Sequence, residues 1–258
     1  RSLKIIANAH NLVFSWMKAK FPKLPVGIAH NIAYYKGDSF LFAPFAAFSR
    51  ARLNYYFTDL IKDHMDYLGL NYYGLESIKG TATVISDKYE YSDSGRAVYP
   101  TGFYKLLKDM DKRYSLPIII TENGVADSRD WLRPAYLIEH LRAVKQAMHE
   151  GVKVLGYIHW TLSDNWEWAD GYCPKFGLVA VDRADNLKRI KRDSFGLYQN
   201  IISRNGFSED QATAAWQRAR NHIGLDRDFC RADDGVSSLD EPILMPTRNI
   251  DWRLQTKP

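Results

Sequence analysis

The stretch Pro117-Ile118-Ile119-Ile120-Thr121-Glu122-Asn123-Gly124 decides how the rest of the chain is interpreted. Three isoleucines after a proline predict a short strand buried on both faces, because β-branched side chains pack well on a pleated surface. Asn123 and Gly124 then form a strong turn signal, since both residues tolerate positive φ. A carboxylate, Glu122, therefore stands where a buried strand enters a loop. In α/β folds active sites lie at that end of the strands, although a glutamate there can also simply anchor a neighbouring loop.

The composition narrows the class of protein. With 258 residues, of which 46% are hydrophobic and 25% charged, the chain is typical of a globular protein. The net charge of +5 is too small to indicate nucleic acid as a partner. The 7 Trp, 16 Tyr and 12 Phe indicate either a large core or a cleft lined by rings. No apolar run reaches transmembrane length, and we expect no cofactor or metal.

The two cysteines indicate the redox state of the compartment, and the first residue indicates whether the chain is a piece of a longer protein. Cys173 and Cys230 lie far apart and show no metal-ligand spacing. We therefore expect no disulfide, which fits a reducing compartment. The chain opens at Arg1 without Met or a signal peptide, within an apolar pattern of helical spacing. We expect it to be a piece of a longer protein.

Predicted strands and helices alternate along the first two hundred residues. Apolar runs predict strands at 26–29, 65–74, 117–124 and 152–158. Helical patterns occupy 5–20, 52–64, 100–114, 134–151 and 193–203. Repeated β-α units imply parallel strands, so the polar clusters after the four strands lie at one edge of the sheet. A closed barrel of this type needs eight units, so four units predict half of a (β/α)8 barrel.

Other segments receive weaker predictions. Residues 36–50 suggest an irregular, Phe-rich loop, 81–86 a hairpin, and 176–181 a further short strand. Ser208-Glu209-Asp210-Gln211 is a capping-box start to a helix that runs to about residue 222. Residues 226–258 show no clear period, and we interpret them as an appendage on the surface. We therefore divide the chain into a barrel half, 1–203, and a helical then irregular extension, 204–258.

A glutamate at a strand end, among aromatic residues, suits the chemistry of glycosidic bonds. Enzymes of this kind place two carboxylates on opposite sides of the bond, about 5 to 5.5 Å apart when configuration is retained. One carboxylate attacks the anomeric carbon, and the other protonates the leaving oxygen and later activates the acceptor. If Glu122 is the attacking group, it must be ionised and oriented by hydrogen bonds.

Three motifs resemble those of glycoside hydrolase family 1, the retaining β-glycosidases. Ile120-Thr121-Glu122-Asn123-Gly124 resembles the nucleophile motif, and Leu68-Gly69-Leu70-Asn71-Tyr72-Tyr73 resembles a second family motif. The third match runs from Gly156 through Trp168 and continues to Val181-Asp182. The resemblance covers roughly residues 1–203. It implies the C-terminal half of a (β/α)8 barrel, about strands five to eight, followed by a C-terminal extension.

The resemblance implies a role for each residue of the first two motifs. Glu122 looks like the catalytic nucleophile, and Tyr73 looks like the tyrosine that hydrogen-bonds it. Asn71 looks like a polar group near the hydroxyls of the reacting sugar.

Four residues of the third motif look like substrate-binding groups. Trp160 resembles the platform beneath the sugar, although a core tryptophan is an alternative. Glu167 and Trp168 resemble the pair that binds the outer hydroxyls of the sugar, although Glu167 can also be a solvated loop acid. Phe176 resembles a nearby wall.

One departure from the family pattern concerns the second carboxylate. The family carries its acid/base glutamate in an Asn-Glu-Pro motif after the fourth strand, and this sequence has no such motif. Asp240-Glu241-Pro242 is the nearest string, but it follows no buried strand, so we interpret it as coincidence. We expect the acid/base to lie upstream and this chain alone to be inactive. An inactive half-barrel that binds carbohydrate or lipid is the alternative from another class.

A narrower resemblance concerns a plant branch of the family, the "sensitive to freezing" galactolipid:galactolipid galactosyltransferases. The matching segments are 91–102, 131–141, 166–172, Ala215-Trp216 and Asp251-Trp252-Arg253. This resemblance implies a galactolipid substrate, oligogalactolipid products, contact of the full-length protein with a membrane surface, and the chloroplast outer envelope. A hydrolytic β-glucosidase or β-galactosidase and a cytoplasmic location stay open as alternatives. The oligomeric state is not indicated.

The segment 183–192 concentrates positive charge. It holds five cations, which are Arg183, Lys188, Arg189, Lys191 and Arg192. Such a run is usually a solvated loop, and contact with an anionic membrane surface is the alternative.

Overall fold

The computed structural model describes residues 1–86, 88–222 and Cys230, which form two compact units. The first unit comprises Arg1–Thr83, Gly102–Asn123 and Val144–Ile158. The second comprises Val84–Thr101, Gly124–Ala143 and the described residues from His159 onward. The predicted division between residues 203 and 204 stays a prediction, and Asp240-Glu241-Pro242 lies outside the described residues.

A parallel sheet organises the first unit. Its strands are β1 (Gly27–Gly37), β2 (Tyr67–Lys79), β3 (Ala82–Val84), β4 (Ile118–Asn123) and β5 (Val154–His159). The order is β1-β2-β4-β5, and the pairs β1–β2 and β2–β4 are parallel. The four predicted strands therefore exist and neighbour one another as the β-α pattern requires. The short strand β3 pairs with β2, which agrees with the predicted hairpin.

Apolar side chains explain why β4 is buried. Ile118 and Ile120 are at most 1% exposed, as the isoleucine run predicts. On the neighbouring strand, the ring of Tyr72 stacks on Phe103 with centroids 4.7 Å apart. Phe103 belongs to the helix that precedes β4, so this helix covers the sheet at the level of Asn123, which pairs with Tyr72.

Seven α-helices occur in the described residues. They are α1 (Ser2–Lys20), α2 (Ala43–Arg50), α3 (Tyr56–Ile61), α4 (Pro100–Tyr114), α5 (Arg133–His149), α6 (Asp193–Arg204) and α7 (Glu209–Arg220). The prediction of an irregular loop at 36–50 is wrong, because a 3-10 turn (Phe40–Phe42) leads into α2. Pro44 lies in the first turn of α2, where the missing N–H costs nothing. None of the described helices is both long and apolar enough to span a bilayer.

The second unit has a core formed largely by helices. Trp216 of α7 belongs to a buried cluster with Trp131, Tyr136 and Ile201, and its Nε1 donates to Oε1 of Glu139 at 2.7 Å. The predicted capping box of α7 is confirmed. The Ser208 hydroxyl oxygen accepts from the Gln211 N–H, and the Gln211 side-chain oxygen accepts from the Ser208 N–H.

The last predicted strand forms a separate hairpin rather than another β-α unit. The antiparallel pair consists of β6 (Val179–Asp182) and β7 (Lys188–Lys191). The two strands are only a few residues long and joined by a short turn, which suits antiparallel pairing; a parallel pair would need a long crossover.

The expectation of no disulfide is wrong. Cys173 and Cys230 are bonded, with their Cα atoms 5.6 Å apart and a separation of 57 positions in the sequence. The backbone N–H of Cys230 also donates to the carbonyl oxygen of Asp93 at 2.6 Å. Spacing along the chain does not reveal this pairing, because the proximity of the two cysteines depends on the tertiary fold.

Candidate active site

A β-bulge sets the direction of Glu122. Leu70 pairs with Ile120, but the next residue, Asn71, pairs with Glu122, so Thr121 is an extra residue in β4. Bulges often lie beside active sites because they re-aim a side chain relative to the regular alternation. The hydroxyl of Thr121 donates to Oδ1 of Asn71 at 2.5 Å. Asn71 and Glu122 thus lie opposite each other where the two strands end.

Tyr73 and Glu122 form the central hydrogen bond of this edge. The Tyr73 hydroxyl donates to Oε2 of Glu122, and both side chains are half-buried. A hydrogen bond to an ionised acceptor is roughly twice as strong as one between neutral groups, and it fixes the carboxylate in one orientation. The structure therefore brings three predicted site residues together, namely Glu122, Tyr73 and Asn71.

Asn123 supports this arrangement, although its sequence context predicts only a turn. Its side chain is fully buried, donates to the carbonyl oxygen of Tyr72 at 2.6 Å and accepts from the Tyr157 hydroxyl at 2.7 Å. These bonds tie the end of β4 to β2 and β5 next to Glu122. Its position in the Glu-Asn-Gly string is the only sequence signal for it.

Gly124 has a different role from the one predicted. Neither Asn123 nor Gly124 has positive φ, so the expected turn geometry is wrong. A Cβ atom at Gly124 would lie 1.8 Å from the carbonyl oxygen of Trp160. Glycine is required because another segment of backbone passes directly over it.

Trp160, Glu167 and Phe176 meet in the second unit. The indole Nε1 of Trp160 donates to Oε1 of Glu167 at 3.2 Å, and both side chains are half-buried. The peptide bond between Trp160 and Thr161 is cis. The N–H of Thr161 donates to the carbonyl oxygen of Phe176 at 3.3 Å, and the Phe176 side chain is buried.

Trp168 differs from the other predicted substrate-binding residues. It begins a 3-10 turn and is 83% exposed. Nearby, the rings of Trp166 and Tyr172 meet edge to face at 4.8 Å, and the Arg183 guanidinium lies 3.4 Å from the Tyr172 ring centroid. This part of the loop presents aromatic rings to solvent, and the role of Trp168 stays a prediction.

Asp164 and Arg192 form a buried ion pair that no pattern in the sequence indicates. The Arg192 guanidinium donates to both carboxylate oxygens of Asp164 at 3.0 Å, and both side chains are less than 10% exposed. Asp164 also accepts from the N–H of Gly177, while Arg192 donates to the carbonyl oxygen of Gly177. Arg192 therefore does not belong to a solvated run. It fastens the β6–β7 hairpin to the loop that carries Glu167.

A second buried arginine organises the loop after β4. The Arg133 side chain is fully buried, is paired with Asp130, and donates to the carbonyl oxygens of Asp127 and Lys175. The carboxylate of Asp127 accepts from the N–H groups of Leu132 and Arg133 at the start of α5, both at 2.8 Å, as an acid at a helix N-terminus does. Lys175 precedes Phe176, so this network fixes the segment that carries that residue.

The motifs and the fold define a glycosidase-type protein. The model of glycosyl hydrolase family 1 matches residues 47–207, and the chain belongs to this family. The chain is 40% identical to the galactolipid galactosyltransferase SFR2 of Arabidopsis thaliana, over 98% of this chain and 43% of that protein. It is 39% identical to the beta-glucosidase-like SFR2 of Oryza sativa subsp. japonica, over 98% of this chain and 41% of that protein.

Solved structures confirm the predicted part of a (β/α)8 barrel. The hyperthermophilic beta-glucosidase of Pyrococcus furiosus is similar with a TM-score of 0.73 and 33% identity. The similarity covers 81% of this chain and 48% of that chain. The chain thus spans about half of this enzyme and about two fifths of the length of the two plant relatives.

Proposed function

We propose that this chain carries the nucleophile side of a retaining active site, in an enzyme that transfers galactose from one galactolipid to another. The observation that carries the proposal is the Tyr73–Glu122 hydrogen bond at the edge of a parallel sheet. Glu122 attacks the anomeric carbon of the donor, and the bond to the leaving oxygen breaks. The galactosyl group is then bonded to the Glu122 carboxylate as an ester.

The leaving oxygen takes its proton from the second carboxylate of the pair. No Asn-Glu-Pro motif in this sequence supplies that group, so we assign it to a longer form of the protein. On this basis the chain alone does not turn over substrate. The same carboxylate, now ionised, removes the proton of the acceptor hydroxyl as this oxygen attacks the ester-linked sugar.

Family membership supports the roles of the remaining site residues. We assign Trp160 to the face of the sugar ring, Glu167 and Trp168 to its outer hydroxyls, and Phe176 to a wall. Asn71, paired with Glu122 in register, binds a hydroxyl of the reacting sugar. Glu167 can accept hydrogen bonds from the hydroxyls of either glucose or galactose, so the preference for galactose rests on the plant relatives.

Transfer to a lipid rather than to water requires a held acceptor and exclusion of water. The names of both plant relatives include the chloroplast, and one includes galactolipid galactosyltransferase activity. We therefore place this protein in the chloroplast, at the outer envelope, with a galactolipid as donor and acceptor and the membrane as its partner.

The test uses the full-length enzyme with vesicles that contain monogalactosyldiacylglycerol. Oligogalactolipids and diacylglycerol are the expected products, resolved by lipid mass spectrometry. Free galactose without oligogalactolipid would instead identify a β-glycosidase. Binding of galactolipid without any turnover would identify an inactive binding protein.

The nucleophile has its own test. Glu122→Gln abolishes turnover, whereas Glu150→Gln, which changes an exposed glutamate paired with Tyr104, leaves it unchanged. Glu122→Gly with added azide yields the α-galactosyl azide, because azide enters from the face that the carboxylate occupies. Normal turnover by Glu122→Gln would remove the assignment.

A further inference from the structure

We propose that the Cys173–Cys230 disulfide holds Glu167 in place for binding of the donor sugar, so that the two cysteines are positioning residues. The inference rests on the proposed function for the role of Glu167. It gives Cys230, which lies beyond the end of α7, a part in substrate binding. The disulfide joins this residue to the segment 165–176, here called the Glu167 loop.

The Cys230 end of the disulfide is fixed to a buried part of the second unit. Cys230 is 3% exposed, and its N–H donates to the carbonyl oxygen of Asp93 at 2.6 Å. Asp93 is also buried and donates its own N–H to the carbonyl oxygen of Ala126 at 2.9 Å. The Asp93 carboxylate accepts from the N–H of Ser128 at 2.7 Å. Cys230 is thus bound to the loop that follows β4, so it can restrain its partner.

Backbone hydrogen bonds transmit this restraint from Cys173 to Glu167. The N–H of Cys173 donates to the carbonyl oxygen of Asp170 at 3.4 Å, and the N–H of Asp170 donates to the carbonyl oxygen of Glu167 at 3.0 Å. The N–H of Glu167 in turn donates to the carbonyl oxygen of Gly171 at 2.7 Å. These bonds make 167–173 a compact turn, so a displacement of Cys173 displaces the backbone of Glu167 with it.

The two ends of the Glu167 loop are anchored independently of the disulfide. Asp164 comes just before the loop and is held by the buried ion pair with Arg192. At the other end, the carbonyl oxygen of Lys175 accepts from the buried guanidinium of Arg133 at 2.7 Å. The disulfide therefore restrains the turn between the two anchors, and this turn is the part that carries Glu167.

The position of the Glu167 carboxylate is sensitive to such a restraint. Its Oε1 accepts from Nε1 of Trp160 at 3.2 Å, the long end of the usual range for this kind of hydrogen bond. A binding group must stay within about 0.5 Å of its productive geometry. Without the disulfide the turn samples more positions, so each bond from Glu167 to a sugar hydroxyl costs more ordering entropy.

The test is a double-mutant cycle in the full-length enzyme, measured on a water-soluble aryl β-galactoside. Cys173→Ala/Cys230→Ala should lower kcat/KM by roughly fivefold to tenfold, as expected for groups that couple through direct contacts. In a Glu167→Gln background the same cysteine substitutions should cost less than about twofold, because the group that they position is already altered.

Phe176→Leu provides the matched control for this cycle. Phe176 follows Lys175, which Arg133 holds without the disulfide, so its position should not depend on the cysteines. The cysteine substitutions should therefore cause their full loss in the Phe176→Leu background. A disulfide that only stabilises the fold would give the same loss in both backgrounds.

Reduction of the wild type provides a readout without substitution. Dithiothreitol transfers two electrons and two protons to the disulfide, which yields two thiols and the cyclic oxidised reagent. A peptide map after alkylation shows whether Cys173 and Cys230 are reduced. The reduced enzyme should show the loss of the double variant and recover on reoxidation, and the double variant should not respond. This measurement decides if the double variant fails to fold, and free thiols at both positions in the enzyme as isolated would overturn the inference.

The outcomes separate this inference from the proposed function. Hydrolysis of the aryl galactoside, with no oligogalactolipid from galactolipid vesicles, would overturn the transferase and leave the cycle valid. If no galactoside is turned over, the proposed function fails, and dissociation constants of the same galactoside replace kcat/KM in the cycle. Equal losses in the Glu167→Gln and Phe176→Leu backgrounds, or a loss below about twofold in the wild-type background, would overturn this inference alone.

Discussion

The hydroxyl of Tyr73 donates a hydrogen bond to Oε2 of Glu122 across two neighbouring parallel strands. The contact depends on the bulge at Thr121, which shifts Glu122 by one position relative to β2. Because the donor lies on a buried strand, the carboxylate is oriented before a substrate arrives. Preorganised groups of this kind contribute to rate rather than to binding alone.

Tyr73→Phe should therefore slow formation of the glycosyl-enzyme in the full-length protein. A hydrogen bond to a charged group is worth about 1.5 to 3 kcal/mol, so we expect a loss of roughly 10- to 100-fold in kcat/KM. The rate of inactivation by a 2-deoxy-2-fluoro galactoside, followed by intact mass, measures this step directly. Tyr104→Phe is the matched control, because Tyr104 also donates to a glutamate, the exposed Glu150. Equal rates for both variants would show that the Tyr73 bond is only structural.

The strand that carries Glu122 can be predicted from its sequence, but the pairing with Tyr73 cannot be derived from residue pattern alone. The isoleucine run makes a buried strand the best interpretation, and the structure confirms it. The bulge at Thr121, by contrast, depends on how β4 is aligned with β2, and alignment is a property of the tertiary structure. Only the family resemblance brings Tyr73 to Glu122 before the structure is known.

The close approach of Trp160 to Gly124 predicts a strong effect of one added methyl group. Gly124→Ala would place Cβ 1.8 Å from the Trp160 carbonyl oxygen, so the backbone must move. We expect a loss of about 1 to 3 kcal/mol in the free energy of unfolding, as for other overpacked sites. Chemical denaturation measures it. Gly156→Ala in β5 is the control, since its Cβ meets no atom within 4 Å, and its effect should stay within about 0.5 kcal/mol.

The buried ion pair between Asp164 and Arg192 shows a different limit of prediction from sequence. Arg192 is one of five cations in ten residues, and nothing in the order of charges distinguishes the one that becomes buried. Its partner, Asp164, lies 28 residues away and comes into contact only when the β6–β7 hairpin folds back. The helix α2 is likewise not predicted from its sequence. Its exposed residues are apolar like its buried ones, so no helical alternation of apolar and polar residues is visible.

Arg192→Met should destabilise the second unit strongly, because it leaves the Asp164 carboxylate buried without its arginine. Removing one partner of a buried ion pair costs about 3 to 5 kcal/mol, and urea denaturation measures the loss. Lys188→Met removes an exposed pair with Asp185 on the same hairpin and should cost less than about 1 kcal/mol. The double variant Asp164→Asn/Arg192→Met should recover part of the loss. A loss below 1 kcal/mol for Arg192→Met would contradict the prediction.

Burial of His140 predicts how stability depends on pH. The side chain is inaccessible to solvent, and this burial lowers its pKa from 6.5 to about 3, although a contact with the Tyr136 carbonyl oxygen at 2.8 Å acts in the opposite direction. The unfolded chain takes up a proton near pH 6.5 and the folded chain does not. Stability is therefore complete above pH 6.5 and falls as the pH drops towards 3, by about 2 kcal/mol at pH 5.

Replacement of His140 should remove this part of the pH dependence. His140→Asn keeps a donor for the Tyr136 carbonyl and does not titrate, so its unfolding free energy should change less between pH 7 and pH 5 than that of the wild type. His149→Asn, at the exposed end of the same helix, should keep the wild-type dependence. Denaturant titrations at both pH values measure the difference. Identical pH dependence in His140→Asn and the wild type would show that other groups cause the loss at low pH.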